Sequence, residues 1–158
     1  MENPFNTEQT KPKRSTLLSV FLVLTFIGSG LNFIGNGYIA LSFENVISQI
    51  EELADDEAMA SMATLLERYV KMMEKAGNGY YGLLALLALA SIVGAALMWR
   101  LNKLGFHFYA SAQIIMLFLP MAFGLIKFPD VFGTIITAIF IFVYARELKI
   151  FASKTHNE

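Results

Sequence analysis

Residues 17–41 read LLSVFLVLTFIGSGLNFIGNGYIAL, a run of 25 residues without a charged side chain. The hydrocarbon core of a bilayer is about 30 Å thick, so a helix needs roughly 20 apolar residues to cross it. Three further apolar stretches follow at about 80–99, 104–126 and 129–148. The sequence therefore predicts an all-α integral membrane protein, a four-helix bundle whose membrane domain covers residues 17–148.

The overall composition agrees with a membrane protein. Of the 158 residues, 56% are hydrophobic and 16% are charged, whereas about a quarter of the residues in a soluble domain are charged. The 13 acids and 12 bases nearly cancel, which predicts no nucleic-acid partner. The absence of cysteine excludes disulfides and thiolate metal sites.

The placement of Lys and Arg predicts the orientation, because short basic loops favour the cytoplasm while acids have little influence. The two tails and the connection at 100–103 carry eight of the bases, and the remaining four lie in the other two connections. We therefore expect a disordered cytoplasmic tail at 1–16, a second cytoplasmic tail at 149–158, and residues 44–79 outside. Short spans with basic flanks suit a bacterial inner membrane.

The first span has a polar face. An arc of about 120° contains small and polar residues spaced three or four apart, namely Thr25, Gly28, Ser29, Asn32, Gly35 and Asn36. An amide in hydrocarbon is costly unless it is hydrogen-bonded, so Asn32 and Asn36 are expected to face other helices. We favour a helix–helix interface with its glycines in close contact. A face that lines a ligand or ion site is the alternative.

The third span contributes Gln113, the other strong hydrogen-bonding amide at membrane depth. A hydrogen bond from Gln113 to Asn32 or Asn36 would join the first and third spans. Pro120, on roughly the same face as Gln113, predicts a kink in the third span.

Two local signals concern the other spans. Ala90 and Gly94 form a pair of small residues four apart in the second span, which is typical of close packing between membrane helices. Asp130 precedes the fourth span and is expected to cap its helix.

Residues 44–79 read as two amphipathic helices that form an acidic outer hairpin. Eight acids and three bases leave a net charge of −5 in this segment. The second helix repeats apolar residues at spacings of three and four, which predicts that the two helices pack on each other, on the membrane surface or on a partner. The candidate residues for a partner interface are Met59, Met62, Leu66, Tyr69 and Met73. A hairpin of this length cannot bury a core of its own. Gly77-Asn78-Gly79 is expected to end the second helix.

The residues that catalysis requires are scarce. His107 and His156 are the only histidines, and the spans contain no charged residue away from their ends. We therefore predict no catalytic residue, no metal and no cofactor. The favoured function is a non-catalytic scaffold, assembly or regulatory subunit that binds a protein partner or a second copy through the hairpin. The alternative is a small oligomeric channel or transporter that uses Asn32, Asn36 and Gln113.

Overall fold

The computed structural model describes the backbone of residues 14–154 and the side chains of residues 14–148. This part of the chain is helical and contains no β-strand; its helices are α1 (Thr16–Leu41), α2 (Phe43–Asp55), α3 (Ala63–Trp99), α4 (Leu104–Ala122) and α5 (Val131–Lys154). Four of them, α1 and α3–α5, are long and apolar enough to cross a membrane. The structure thus agrees with the predicted all-α membrane protein. Residues 1–13 of the predicted tail at 1–16 and residues 155–158 of the predicted tail at 149–158 lie outside the described residues.

Helix α3 is the centre of the packing. It contacts α1, α2 and α4 extensively, whereas α5 makes fewer contacts with α1 and α4. The closest approach joins α3 to α4, where a Cβ added to Gly94 would lie 2.7 Å from the backbone nitrogen of Tyr109. A Cβ added to Gly105 would lie 2.6 Å from the backbone nitrogen of Met98. The close packing predicted at Gly94 is confirmed, and Gly105 is its partner.

Two buried clusters lie at opposite ends of the membrane-spanning helices. At the end that contains Trp99, called here the Trp99 end, the cluster consists of Leu18, Leu22, Ala95, Met98, Tyr109, Tyr144 and Leu148. At the end that contains α2, called the α2 end, it consists of Ile47, Val70, Met73, Ala76, Tyr80, Tyr81 and Leu119. Because α5 contributes only to the first cluster, it is held mainly at the Trp99 end.

The segment between the first two spans contains the predicted helix end at Gly77. The range Ala63–Trp99 consists of two helices that meet at a kink, where Gly77 leaves the helical conformation with φ 72° and ψ 166°. Positive φ is readily available to glycine, so Gly77 ends the first of these helices and the second begins directly after it. Before the kink, α3 packs on α2 through Val70 and Met73, which join Ile47 in a buried cluster.

Helix α4 ends at Ala122, four residues before the predicted end of the third span at about residue 126. The Leu125 N–H donates to the Pro120 carbonyl and the Gly124 N–H to the Met121 carbonyl, both at 2.9 Å. With φ 66° at Gly124, these bonds form a Schellman motif. Pro120 therefore lies in the last turn of α4 and not at mid-membrane.

The start of α5 follows the prediction. The Asp130 Oδ2 atom accepts a hydrogen bond from the Gly133 N–H at 2.5 Å, and the Thr134 hydroxyl donates to the Asp130 carbonyl at 2.6 Å. Asp130 is therefore the predicted cap. The helix continues to Lys154, past the predicted end of the fourth span at residue 148.

Candidate central cleft

A cleft of about 460 Å³ lies between the four membrane-spanning helices, all of which contribute to its lining. Its hydrogen-bonding side chains are Thr25, Ser29, Asn32 and Asn36 from α1, Tyr109 and Gln113 from α4, and Thr137 from α5. The structure thus brings Gln113 and the four hydrogen-bonding residues of the predicted polar face of the first span to one space, called here the central cleft. Apolar side chains from the four helices complete the lining.

The amides in the cleft are only partly paired with the protein. The Asn36 side-chain amide donates to the Asn32 carbonyl at 2.9 Å and to Asn32 Oδ1 at 2.5 Å. The Gln113 amide donates to the Ser91 hydroxyl at 3.3 Å, so the expected bond from Gln113 to an asparagine is not formed. Within residues 14–148, Asn32 Nδ2, Asn36 Oδ1 and Gln113 Oε1 have no described protein partner. These atoms are therefore free to bind another molecule.

The glycines of α1 do not lie at a close helix contact. A Cβ added at Gly28 or Gly35 would meet no atom within 4 Å. Gly28 lines the central cleft, and so do the polar residues on its face of α1. The expectation of close backbone approach at these glycines is wrong. The reason is the position of α5, which meets α1 near the Trp99 end and leaves the rest of this face open.

A buried hydrogen-bond network closes the cleft at the Trp99 end. The Tyr144 hydroxyl donates to the Phe21 carbonyl at 2.8 Å and lies 2.6 Å from the Thr25 hydroxyl. The Tyr144 ring is wholly buried, and its centroid lies 4.9 Å from that of Tyr109 at an edge-on angle of 85°. Below this layer lie Leu18 and Leu22, both wholly buried. The lining of the cleft therefore ends above these two leucines.

A second polar group joins three helices at the Trp99 end. Ser15 accepts a hydrogen bond from the Leu18 N–H at 3.0 Å, which caps α1, and its hydroxyl donates to the carboxylate of Glu147. Glu147 is buried in this contact. The Arg14 guanidinium lies 3.8 Å above the Trp99 ring, a cation–π contact. The start of α1, the end of α3 and the C-terminal part of α5 are thus on one side.

Sequence reasoning missed Ser91, Tyr144 and Glu147 as partners of the predicted residues. Ser91 lies on the buried small-residue face of α3 with Ala88 and Ala95, so its burial could be predicted from the sequence. Its hydrogen bond to Gln113 could not be predicted, because that bond depends on how α3 and α4 are rotated against each other. Tyr144 is wholly buried in the cluster at the Trp99 end, a position that depends on how α5 packs against α1 and α4.

The predicted partner interface is divided between two surfaces. Met59, Met62 and Tyr69 are exposed and Leu66 is half-buried, but Met73 is wholly buried. Met73 is therefore wrong as a candidate for contact with a partner. The physical reason is that Ile47 of α2 packs on the side of α3 that contains Met73. The regular apolar spacing therefore includes residues from a buried side of α3 and from an exposed side.

No protein-family model matches the chain, and no similar protein was found among curated proteins or solved structures. Among the described residues, no group of three or more His, Asp or Glu side chains is placed to hold a metal ion. The central cleft is therefore interpreted from its own chemistry.

Proposed function

We propose that this protein is a non-catalytic membrane protein that binds a small uncharged molecule in the central cleft. The observation that carries the proposal is the set of three amide atoms, on Asn32, Asn36 and Gln113, that line the cleft without a described protein partner. An unpaired polar group in an apolar medium costs roughly 2–7 kcal/mol by transfer measurements. A bound molecule that pairs with these atoms removes that cost.

The depth of the cleft strengthens this argument. Gln113 is the middle residue of α4, and Ser29 lies near the middle of α1. At that depth the hydrocarbon of the bilayer cannot satisfy hydrogen bonds. A volume of about 460 Å³ also falls within the usual range of pockets for small molecules, about 300–1,000 Å³.

The lining further selects for a ligand without charge. It contains no Asp, Glu, Lys, Arg or His, and a charge buried without a partner is far more costly than a neutral polar group. The favoured ligand therefore offers hydroxyl or amide groups to Asn32, Asn36 and Gln113. The same chemistry suits a carrier or transporter, the alternative that the sequence had left open.

The test is to purify the full chain in native lipid nanodiscs and to identify small molecules that remain bound. We expect close to one uncharged molecule per chain in the wild type, and at least a fivefold loss with Asn32→Leu combined with Gln113→Leu. The control is Leu31→Ala, because Leu31 is exposed and lies outside the cleft lining. An empty wild-type protein, or equal amounts in all three proteins, would contradict the proposal.

A scaffold role is a second candidate, and the α2 end of α3 favours it. Met62, Leu65, Tyr69 and Met72 are all exposed there beside α2, which we propose forms an outer hairpin with this part of α3. A photo-cross-linker in place of Tyr69 should then capture one defined protein in native membranes. The same cross-linker in place of Glu67, an acidic residue of α3 outside this exposed apolar group, should not. Equal capture from both positions would reject a specific interface.

We also propose that the chain is a four-span bundle in a bacterial inner membrane and that both of its tails lie in the cytoplasm. The contacts of Arg14 and Glu147 at the Trp99 end support one common side for the tails, and the excess of basic residues favours the cytoplasm for that side. A cysteine at Asp56 should react with a membrane-impermeant maleimide added to intact cells. Reaction only after lysis would reverse this orientation.

A further inference from the structure

The gap between α1 and α5 gives the central cleft a side opening toward the bilayer. The two helices meet near the Trp99 end, where the rings of Phe21 and Phe140 lie 4.8 Å apart and Thr25 contacts Tyr144. Farther toward the α2 end, the cleft separates Asn32 and its neighbours on α1 from the residues of α5. Within residues 14–148, no hydrogen bond or ring contact joins α1 to α5 beyond Thr25 and Phe140.

The α2 end of α5 is also uncovered. Val131 and Phe132 are each more than 70% exposed, and Ile135 is half-exposed. These residues belong to a segment that is long and apolar enough to cross a membrane. Acyl chains of the bilayer are therefore the natural neighbours of this part of α5, and the gap beside it leads from hydrocarbon into the cleft.

The lining of the cleft is divided in a way that matches an amphiphile. The amides of Asn32, Asn36 and Gln113 provide donors and acceptors, while Leu24, Ile136 and Phe140 provide apolar surface beside the gap. A hydroxyl-bearing head can pair with the amides while its chain stays among the apolar side chains and the acyl chains outside. A water-soluble polyol has no group to place on the apolar side.

We infer that the ligand is a neutral, hydroxyl-bearing lipid that enters the central cleft from the bilayer through the gap between α1 and α5. This inference rests on the proposed function, because it names the class of the uncharged molecule and its route. Two exclusions follow from it. A fatty acid of the same chain length is disfavoured by its charge, and glycerol in water is disfavoured by its lack of a chain.

The experiment uses the full chain in phosphatidylcholine vesicles with a monoacylglycerol that carries a photoactivatable diazirine in its acyl chain. We expect saturable labelling of peptides from α1 and α5 that line the gap. Excess unlabelled monoacylglycerol should reduce this labelling at least fivefold, whereas glycerol in the aqueous phase should not. A fatty-acid probe of equal length should label the same peptides several-fold less at neutral pH.

Two matched variants control for incidental contact with lipid. Gly28→Leu places a side chain in the cleft lining, and Gly30→Leu makes the same change on α1 outside the lining and outside the polar face. Neither added Cβ meets an atom within 4 Å, so both variants are expected to fold. Labelling should fall at least fivefold in Gly28→Leu and remain in Gly30→Leu.

The outcomes separate this inference from the proposed function. Competition by glycerol, or equal labelling of the two glycine variants, would overturn entry of a lipid from the bilayer. If an uncharged molecule nevertheless remained bound to the purified wild type and was lost with Asn32→Leu and Gln113→Leu, the proposed function would stand with a water-borne ligand. Unsaturable labelling together with an empty wild-type protein would reject both.

Discussion

Replacing Gly94 with alanine should strongly destabilise the contact between α3 and α4. The added Cβ would lie 2.7 Å from the Tyr109 nitrogen and 2.8 Å from the Gly105 carbonyl oxygen. Ordinary contacts of a Cβ begin near 3.4 Å, so the two helices must separate by about 0.7 Å. Overpacking typically costs about 1–3 kcal/mol. Because the obstructing atoms belong to the backbone and cannot rotate away, we expect a loss of about 3 kcal/mol, roughly a hundredfold in the unfolding equilibrium.

Unfolding in mixed micelles with increasing dodecyl sulfate measures this loss. Trp99 is the only tryptophan, and its ring contacts Phe26 at 6.0 Å between centroids and Arg14 at 3.8 Å, so its fluorescence reports the packing at the Trp99 end. Gly30→Ala is the matched control because its added Cβ meets no atom within 4 Å. The control should be neutral or stabilising by about 0.5–1 kcal/mol. Equal unfolding midpoints for Gly94→Ala and Gly30→Ala would refute the close α3–α4 contact.

Two further predictions concern single hydrogen-bonding groups. Tyr144→Phe removes the bonds to the Phe21 carbonyl and the Thr25 hydroxyl, and should cost about 1–2 kcal/mol in the same unfolding assay, since such bonds contribute about 0.6 and at most about 1.7 kcal/mol each. Tyr38→Phe, at an exposed position, should cost nothing measurable, and equal effects would reject the network. Asp130→Ala should lose about 1 kcal/mol and speed amide exchange in the first turn of α5. Asp130→Asn should retain slow exchange, and fast exchange in both variants would show that the charge, not the cap, matters.

The spans and the helix caps could be predicted from local sequence. The run at 17–41 differs by one residue from α1, and the cap at Asp130 lies where its position before an apolar run indicated. Both depend on interactions within a few residues, which a linear pattern contains. The helix end at Gly77 was also predicted from the local Gly-Asn-Gly run, because glycine readily adopts positive φ.

The linear pattern of apolar and polar residues was enough to predict a helical membrane protein and a polar face on α1. It did not show what that face meets. The same spacing of Thr25, Ser29, Asn32 and Asn36 serves equally for a packed interface and for an open lining. The packing of the helices distinguishes the two, because α5 is anchored by Tyr144 at the Trp99 end and diverges from α1 beyond it. A contact between residues more than a hundred positions apart has no local signature, and it is this contact that leaves the central cleft open.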